Sequence, residues 1–349
     1  MAYKKEHSTA AYERLRQDVK EDTLHRLYIF YGEETYLLNS YLERIVEKLI
    51  PAGFAEFNFH KVSGKGLTVQ ELTEITEAMP MMAEHTLVVV EDWDIFKLDE
   101  GSRSALIALW EDFPEYCTLI LTYRSIEYKR DGKMKKLIAA LNDHVQEVEF
   151  ARQERKALLG WVKRRFAALG HDIDQTAADH LFFTCGTLMN DLIPEIEKIG
   201  AYAKGQQVTV ADINAVADPL LDARVFDMTN AITAGKYDEA ARILGELYRM
   251  QVKSFVILAA VGKELRRLYT ARMALDNGKD RYWLKDLWNM SSDYPARLLM
   301  EAARRVDHRW CADAVKKCQV LDRRMKSELK FDDEGELTLF LMELAGAKK

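Results

Sequence analysis

The chain has 349 residues, 48% hydrophobic and 30% charged, with 50 Lys and Arg against 56 Asp and Glu. At roughly 100–200 residues per domain, this length suggests two or three domains, each able to bury a core. The composition excludes a disordered chain, a fibrous one (17 Gly, 6 Pro) and a disulfide scaffold (4 Cys), while the net charge of −6, taken as an average, argues against nucleic acid.

The opening stretch, MAYKKEHSTAAYERLRQDVK, is polar and suits a helix; it lacks the apolar run of a signal peptide. Leu27-Tyr28-Ile29-Phe30-Tyr31 reads as a buried strand, and Gly32 turns the chain. Glu33 and Glu34 then fall in the first turn of a helix, where carboxylates favour the positive dipole end. Leu37, Leu38, Tyr41, Leu42, Ile45, Val46 and Leu49 recur at helical spacing until Pro51. An alternating strand is expected over Phe57–Val62, then a loop with Gly64 and Gly66, a helix over Val69–Ala78 and the strand Leu87–Val90. A helix near Ser104–Trp110, the strand Thr118–Thr122, a basic helix and the strand Val145–Phe150 complete the first 150 residues. Strands alternating with helices, several of them continuous apolar runs, predict a parallel sheet covered on both faces.

Everything beyond is helical. Arg152–Leu169, Thr176–Cys185 and Met189–Lys204 form a three-helix group, and from Asp222 onward five or six amphipathic helices are expected, with breaks at Gly235, Asn277-Gly278 and Ser291-Ser292. The fold class is thus α/β plus all-α, with domains over residues 1–150, 151–217 and 218–349.

The four cysteines form no C-x-x-C pair; Cys311 and Cys318 suit two buried positions on one helix. The most apolar stretch, Phe255–Val261, is far short of the ~20 residues that span a bilayer. The expectation is a reduced, cytoplasmic, soluble protein without metal or cofactor.

A sheet domain invites a test for a phosphate loop, which needs G-x-x-x-x-G-K-[ST]. The first strand–helix turn, Gly32-Glu33-Glu34-Thr35-Tyr36, has one glycine, no lysine and two carboxylates. Gly64-Lys65-Gly66 follows the wrong strand and reads as an ordinary turn, and Glu91-Asp92 reads as a solvated strand end. There is no H-E-x-x-H and no G-x-S-x-G, and His171 and His180 read as surface or capping residues. No enzyme site emerges.

Several segments are similar to the delta subunit family of the bacterial DNA polymerase III clamp loader. They are Tyr31-Gly32-Glu33-Glu34-x-Tyr36-Leu37-Leu38; Ala78-Met79-Pro80-Met81-Met82-Ala83-Glu84-His85-Thr86 running into Leu87–Val90; and Gly186-x4-Asp191-Leu192-x2-Glu195-x-Glu197-Lys198. Val225–Ile232, Gly235-Lys236 with Ala240 and Leu244, and Leu321-Asp322-Arg323-Arg324-Met325-Lys326-Ser327 continue the series in the right order. The first ~25 residues have no counterpart, and Met81-Met82 stands where the family often has a Leu-Phe type pair.

The resemblance implies an AAA+-like sheet domain that does not hydrolyse ATP, a helical lid and a helical collar. It implies the clamp-opening arm of the loader, which inserts an apolar pair into the beta sliding clamp and assembles with delta prime and tau/gamma. The clamp-binding candidates are Met79, Pro80, Met81 and Met82. By residue type alone, Met81 and Met82 suit core positions under the turn Ala83-Glu84-His85; the resemblance makes them an exposed plug, which methionine's flexibility also suits.

The charge is uneven: residues 251–330 carry 18 Lys and Arg against 10 Asp and Glu, so +8 there balances −14 elsewhere. Clustered cations attract phosphates without reading sequence. Candidate contacts to primer–template DNA are Lys263, Arg266, Arg267, Arg304, Arg305 and Lys326, with Lys316, Lys317, Arg323 and Arg324 beside them and Tyr294, Trp283 and Trp288 as stacking surfaces. The alternatives are an active AAA+ ATPase, a delta prime subunit (whose zinc-ligand cysteines and Ser-Arg-Cys motif are missing here) and a helical adaptor outside replication.

Overall fold

Short apolar strands separated by amphipathic helices leave the chain one economical arrangement, a parallel sheet with helices on both faces. The computed structural model describes residues 2–328 and 332–346, with side chains from residue 10 onward. It contains two compact units, one within residues 1–153 together with 188–190, the other within 154–187 and 191–349.

In the first unit the order is α1 (Ala2–Glu21), β1 (Leu27–Tyr31), α2 (Thr35–Leu49), α3 (Ala55–Asn58), β2 (Phe59–Ser63), α4 (Val69–Thr76), β3 (Thr86–Glu91), α5 (Glu100–Glu111), β4 (Cys117–Tyr123), α6 (Lys135–His144) and β5 (Gln146–Glu149). The sheet order is β2-β3-β4-β1-β5, with every pair parallel. Alternate strand residues feed two cores. Ile29, Val88, Val90, Leu119 and Leu121 pack with α4, α5 and α6 on one face; Tyr28, Phe30, Val89, Ile120 and Val148 pack with α2 on the other.

The amino-terminal stretch without a counterpart in the resemblance is a core element. Leu15 of α1 is fully buried, and Tyr12 meets Tyr41 and Phe150 edge-on at 5.5 and 5.9 Å. Such edge-to-face pairs add about 0.5–1.5 kcal/mol beyond area burial.

Three strands shift by one residue at each end, and the largest departure from expectation is at the start of β2. Phe57 and Asn58 are not in β2 but in the helical turn α3, where both backbone N–H groups reach the Phe54 carbonyl at 3.2 Å. The Asn58 side chain reinforces the turn by donating to the same carbonyl at 3.0 Å. A side chain competing for backbone groups overrides the alternating pattern.

The second unit contains α7 (Arg155–Ala168), β6 (Asp172–Ile173), α8 (Gln175–Cys185), α9 (Met189–Tyr202), whose first two residues group with the first unit, β7 (Gln207–Val208) and α10 (Val210–Val216). It continues with α11 (Leu221–Ala234), α12 (Tyr237–Arg249), α13 (Ser254–Asp276), α14 (Arg281–Leu287), α15 (Tyr294–Ala303), α16 (His308–Ser327) and α17 (Asp333–Gly346).

Seven described helices therefore follow residue 220, where five or six were expected. The added breaks carry no glycine: Gln251 adopts φ +59, and Asp307 caps α16 by accepting from the Trp310 N–H at 2.7 Å. The cysteines are buried and free of disulfides, with Cys311 and Cys318 on α16. No helix among the described residues is long and apolar enough to cross a membrane.

Within this unit the Glu-x-Glu-Lys stretch has a structural task. Glu195, buried, accepts the Asp218 backbone N–H at 3.0 Å, and Lys198 bridges Glu195 and Asp218 at 2.8 and 2.6 Å. The motif thereby ties α9 to the segment leading into α11.

Candidate functional site

The loop between α4 and β3 is held firmly at its start. Thr68 and Glu71 form a reciprocal capping box at the head of α4. At its foot Thr76 Oγ1 donates to the Leu72 carbonyl at 3.0 Å, and the Tyr116 hydroxyl donates to the Glu77 carbonyl at 2.7 Å. The helix stops at Thr76, two residues before the expected Ala78; Pro80, four residues on, has no N–H to carry the ladder to the Thr76 carbonyl.

Beyond it the chain leaves its apolar side chains in water. Met79 is 77% exposed, Met81 53% and Met82 79%, while Pro80 is half-buried. The core reading of Met81 and Met82 is therefore replaced by an exposed pair. Met82 has φ +53, a left-handed conformation uncommon for a non-glycine residue.

Beneath the pair lies a residue that the sequence did not single out. Asn58 is fully buried, accepts the Met81 N–H on Oδ1 at 2.7 Å and donates from Nδ2 to the Met81 carbonyl at 2.9 Å. Its neighbour Phe57 is itself half exposed. A sequence signal did exist: an asparagine within an apolar alternating run, Phe57-Asn58-Phe59.

The carboxyl ends of the strands, where open α/β sheets bind ligands, are filled by the chain itself. Gly32 has φ +125, and the Phe150 backbone passes so close that a Cβ there would lie 2.4 Å from its carbonyl oxygen. The Glu34 N–H donates to that carbonyl at 2.9 Å, and the Thr35 N–H donates to the Glu33 carbonyl at 3.0 Å. Amides that a phosphate loop offers to an anion are thus taken, and the buried Glu34 carboxylate accepts the Met189 N–H at 3.3 Å.

Tyr128 lies 4.8 Å, ring to ring, from both Tyr31 and Tyr123 at the ends of β1 and β4. Its hydroxyl donates to Glu147, which Arg130 also holds at 2.9 Å. Burial, then the Glu147 charge, raises the Tyr128 phenol far above its ordinary value.

Glu91-Asp92 is not a solvated strand end. Glu91 pairs with Lys61 at 3.0 Å, and Asp92 Oδ1 accepts the Arg124 and Ser125 N–H groups at 2.7 and 2.9 Å. These carboxylates staple the loop after β4.

The basic candidates separate by environment. Tyr294 is corrected: it is 7% exposed, and its hydroxyl and His180 Nδ1 lie 2.9 Å apart, so it presents no face to a base. His180 also reaches Asn214 at 2.6 Å, and burial lowers its pKa; it is a half-buried bridge rather than a surface or capping residue.

Arg267 stacks 5.5 Å from the centre of its own Trp288. Lys263 pairs with Asp222, and Lys326 with Asp322 at 2.7 Å. Exposed pairs of this kind are worth at most about 1 kcal/mol, but each puts a carboxylate beside the cation and weakens its field. Arg266 is exposed on α13.

Arg304 and Arg305 are brought together with Arg272, His308, Arg309 and Lys317 around one open cleft of about 910 Å³, which Asp276, Asp307 and Asp313 also line. Arg272 pairs with Asp276 and Lys317 with Glu343 at 2.8 Å, which leaves Arg304, Arg305 and Arg309 as its main basic surface. Arg309 was missed because it lies outside the Arg304-Arg305 doublet; the turn before α16 returns it to the same cleft. Lys330, counted in the basic stretch, lies outside the described residues.

Two family models match, the DNA polymerase III delta subunit over residues 28–151 and its C-terminal domain over residues 222–344, together more than two thirds of the chain. The chain belongs to the DNA polymerase III delta subunit family. Among curated relatives, DNA polymerase III subunit delta of Bacillus subtilis is 23% identical over 338 residues, covering 94% of this chain and 95% of the relative. A probable subunit delta of Aquifex aeolicus is 20% identical over 264 residues, covering 73% of each.

The solved clamp loader delta protein of Bacillus subtilis matches this delta-family chain with TM-score 0.51 and 21% identity, covering 95% of this chain and 99% of the other. The likeness is one of fold, an α/β sheet unit followed by helices. The delta-family membership covers both the sheet unit that carries the methionine loop and the helices that carry the arginine cleft.

Proposed function

We propose that this delta subunit is the arm of the DNA polymerase III clamp loader that binds the beta sliding clamp and opens the ring for loading onto primed DNA. The observation that carries the reading is the exposed pair Met81 and Met82, uncovered on a loop whose backbone is anchored from below. Buried in a pocket of the clamp, two such anchors can supply the several kcal/mol typical of an interface hot spot. Opening follows only if the arm binds the open ring interface better than the closed one, since equal affinity for both forms shifts no population.

In this reading residues 151–217 act as the lid and 218–349 as the collar that joins delta prime and tau/gamma in the cytoplasm. The subunit has no catalytic site of its own: the occupied amides of Glu34 and Thr35 and the tyrosines above β1 and β4 support this over an active ATPase. Titration of the full chain with fluorescently labelled cognate clamp, beside a fluorescent ATP analogue, tests it. Saturable clamp binding without nucleotide binding is expected; no clamp binding would sink the reading, and ATP binding would restore the ATPase alternative.

The cleft lined by Arg304, Arg305, Arg309 and Lys317 is proposed as the collar surface nearest primer–template DNA. Neutralising two phosphates contributes about −1.8 to the slope of log affinity against log salt. Arg304→Ala/Arg305→Ala in the assembled loader is expected to flatten that slope by 1–2 units. An unchanged slope refutes the assignment.

A further inference from the structure

We infer that Asn58 is the positioning residue of the methionine loop, holding the backbone of Met81 so that Met81 and Met82 stand out from the sheet unit as a preformed plug. The inference rests on the proposed clamp-binding role of that pair and adds the residue that makes it rigid.

Asn58 sits at the end of α3, where β2 begins, and is fully buried. An asparagine offers two donors and one acceptor oxygen. Here Nδ2 donates to the Phe54 carbonyl at 3.0 Å and to the Met81 carbonyl at 2.9 Å, while Oδ1 accepts the Met81 N–H at 2.7 Å. The amide thus treats Met81 as a strand partner would, pairing both of its backbone groups across 23 residues of sequence.

Two features suggest that this contact does more than fill space. The loop has no strand or helix of its own between α4 and β3, so its backbone needs an external partner. Met82, the next residue, is held at φ +53, a conformation that persists only where the surroundings impose it. With Met81 fixed on one side and β3 beginning at Thr86 on the other, the two side chains have few directions left. A loop ordered before binding loses less conformational entropy on docking, and this raises affinity without adding any contact to the partner.

The test is a double-mutant cycle on the full chain with the cognate ring clamp, using Asn58→Ala, Met82→Ala and the combination. Asn58→Ala alone is expected to weaken clamp binding about tenfold, yet less than about twofold further on top of Met82→Ala. Amide hydrogen exchange at Met81 is read in the same proteins without clamp, and is expected to quicken at least about tenfold when Asn58 is lost.

Should Asn58→Ala not fold, Asn58→Ser takes its place, since serine is too short to span both Met81 groups. Equal losses in the two backgrounds, or wild-type affinity for the Asn58 variant, overturn the inference. Faster exchange at Met81 combined with a Met82→Ala that binds clamp normally points instead to failure of the clamp-binding reading, and takes the inference with it.

Discussion

Met81→Ala/Met82→Ala is expected to lose clamp affinity on the order of 100-fold, about 3 kcal/mol, while the chain stays as stable as before. The two halves of this expectation have separate physical origins. Both side chains are more than half exposed, so truncating them opens no cavity, and surface changes of this kind usually stay within about 0.5 kcal/mol. Against a partner pocket the same atoms become fully buried, and each thioether stem loses its whole transfer free energy on truncation, roughly 1.5–3 kcal/mol per side chain. Binding measured by surface plasmon resonance beside a thermal melt separates the two. Retained affinity would remove the pair from the interface, and a large drop in melting temperature would return it to the core.

Gly32→Ala should behave in the opposite way, destabilising the sheet unit by about 3–5 kcal/mol. Two costs combine at this residue. Its φ of +125 lies where L side chains rarely go, and an added Cβ would meet the Phe150 carbonyl oxygen at 2.4 Å and its nitrogen at 2.8 Å. Phe150 cannot retreat: its N–H donates to the Tyr31 carbonyl at 2.6 Å, its carbonyl accepts from Glu34, and its ring lies 5.1 Å from Phe30 in the core.

Gly53→Ala is the matched control. That residue also has positive φ, +87, but has nothing within 4 Å of an added Cβ, so it should lose only the strain component of about 1 kcal/mol. Urea unfolding of the full chain measures both; equal losses at the two glycines would show that the close passage of Phe150 contributes nothing.

The glycine result bears on function as well. The turn after β1 is where a phosphate loop would stand, and here its geometry serves backbone pairing between Glu34 and Phe150. The missing lysine and the two carboxylates were legible in Gly32-Glu33-Glu34-Thr35-Tyr36. That the Glu34 amide is already bonded to the Phe150 carbonyl was not, because Phe150 is more than a hundred residues away in the chain.

Much of the sheet could be read directly from the residues. The apolar runs at Leu27–Tyr31, Leu87–Val90 and Thr118–Thr122 are strands buried on both faces, and a run of that kind has few other places to go. The helix breaks at Gly235 and Gly278 were equally plain, both being left-handed glycines. The methionine pair was located only by family likeness, since its composition alone suits a core. The basic stretch was visible as charge, yet charge along a sequence does not say which cations share a face.

Sequence by itself, then, determined which segments must be buried, where the helices end with glycine, and that no complete phosphate loop is encoded. These are local properties, decided by side-chain type and spacing within a dozen residues. Tertiary structure alone decided that Met81 and Met82 stand in water, that Asn58 holds the Met81 backbone, that Tyr294 is sealed against His180, and that Arg304 and Arg305 share a cleft with Arg309 and Lys317. The first three depend on a partner from a distant part of the chain, and the cleft on the turn between α15 and α16. The hydrophobic effect acts on total area and does not specify which apolar residue is left uncovered; that choice falls to long-range backbone pairing.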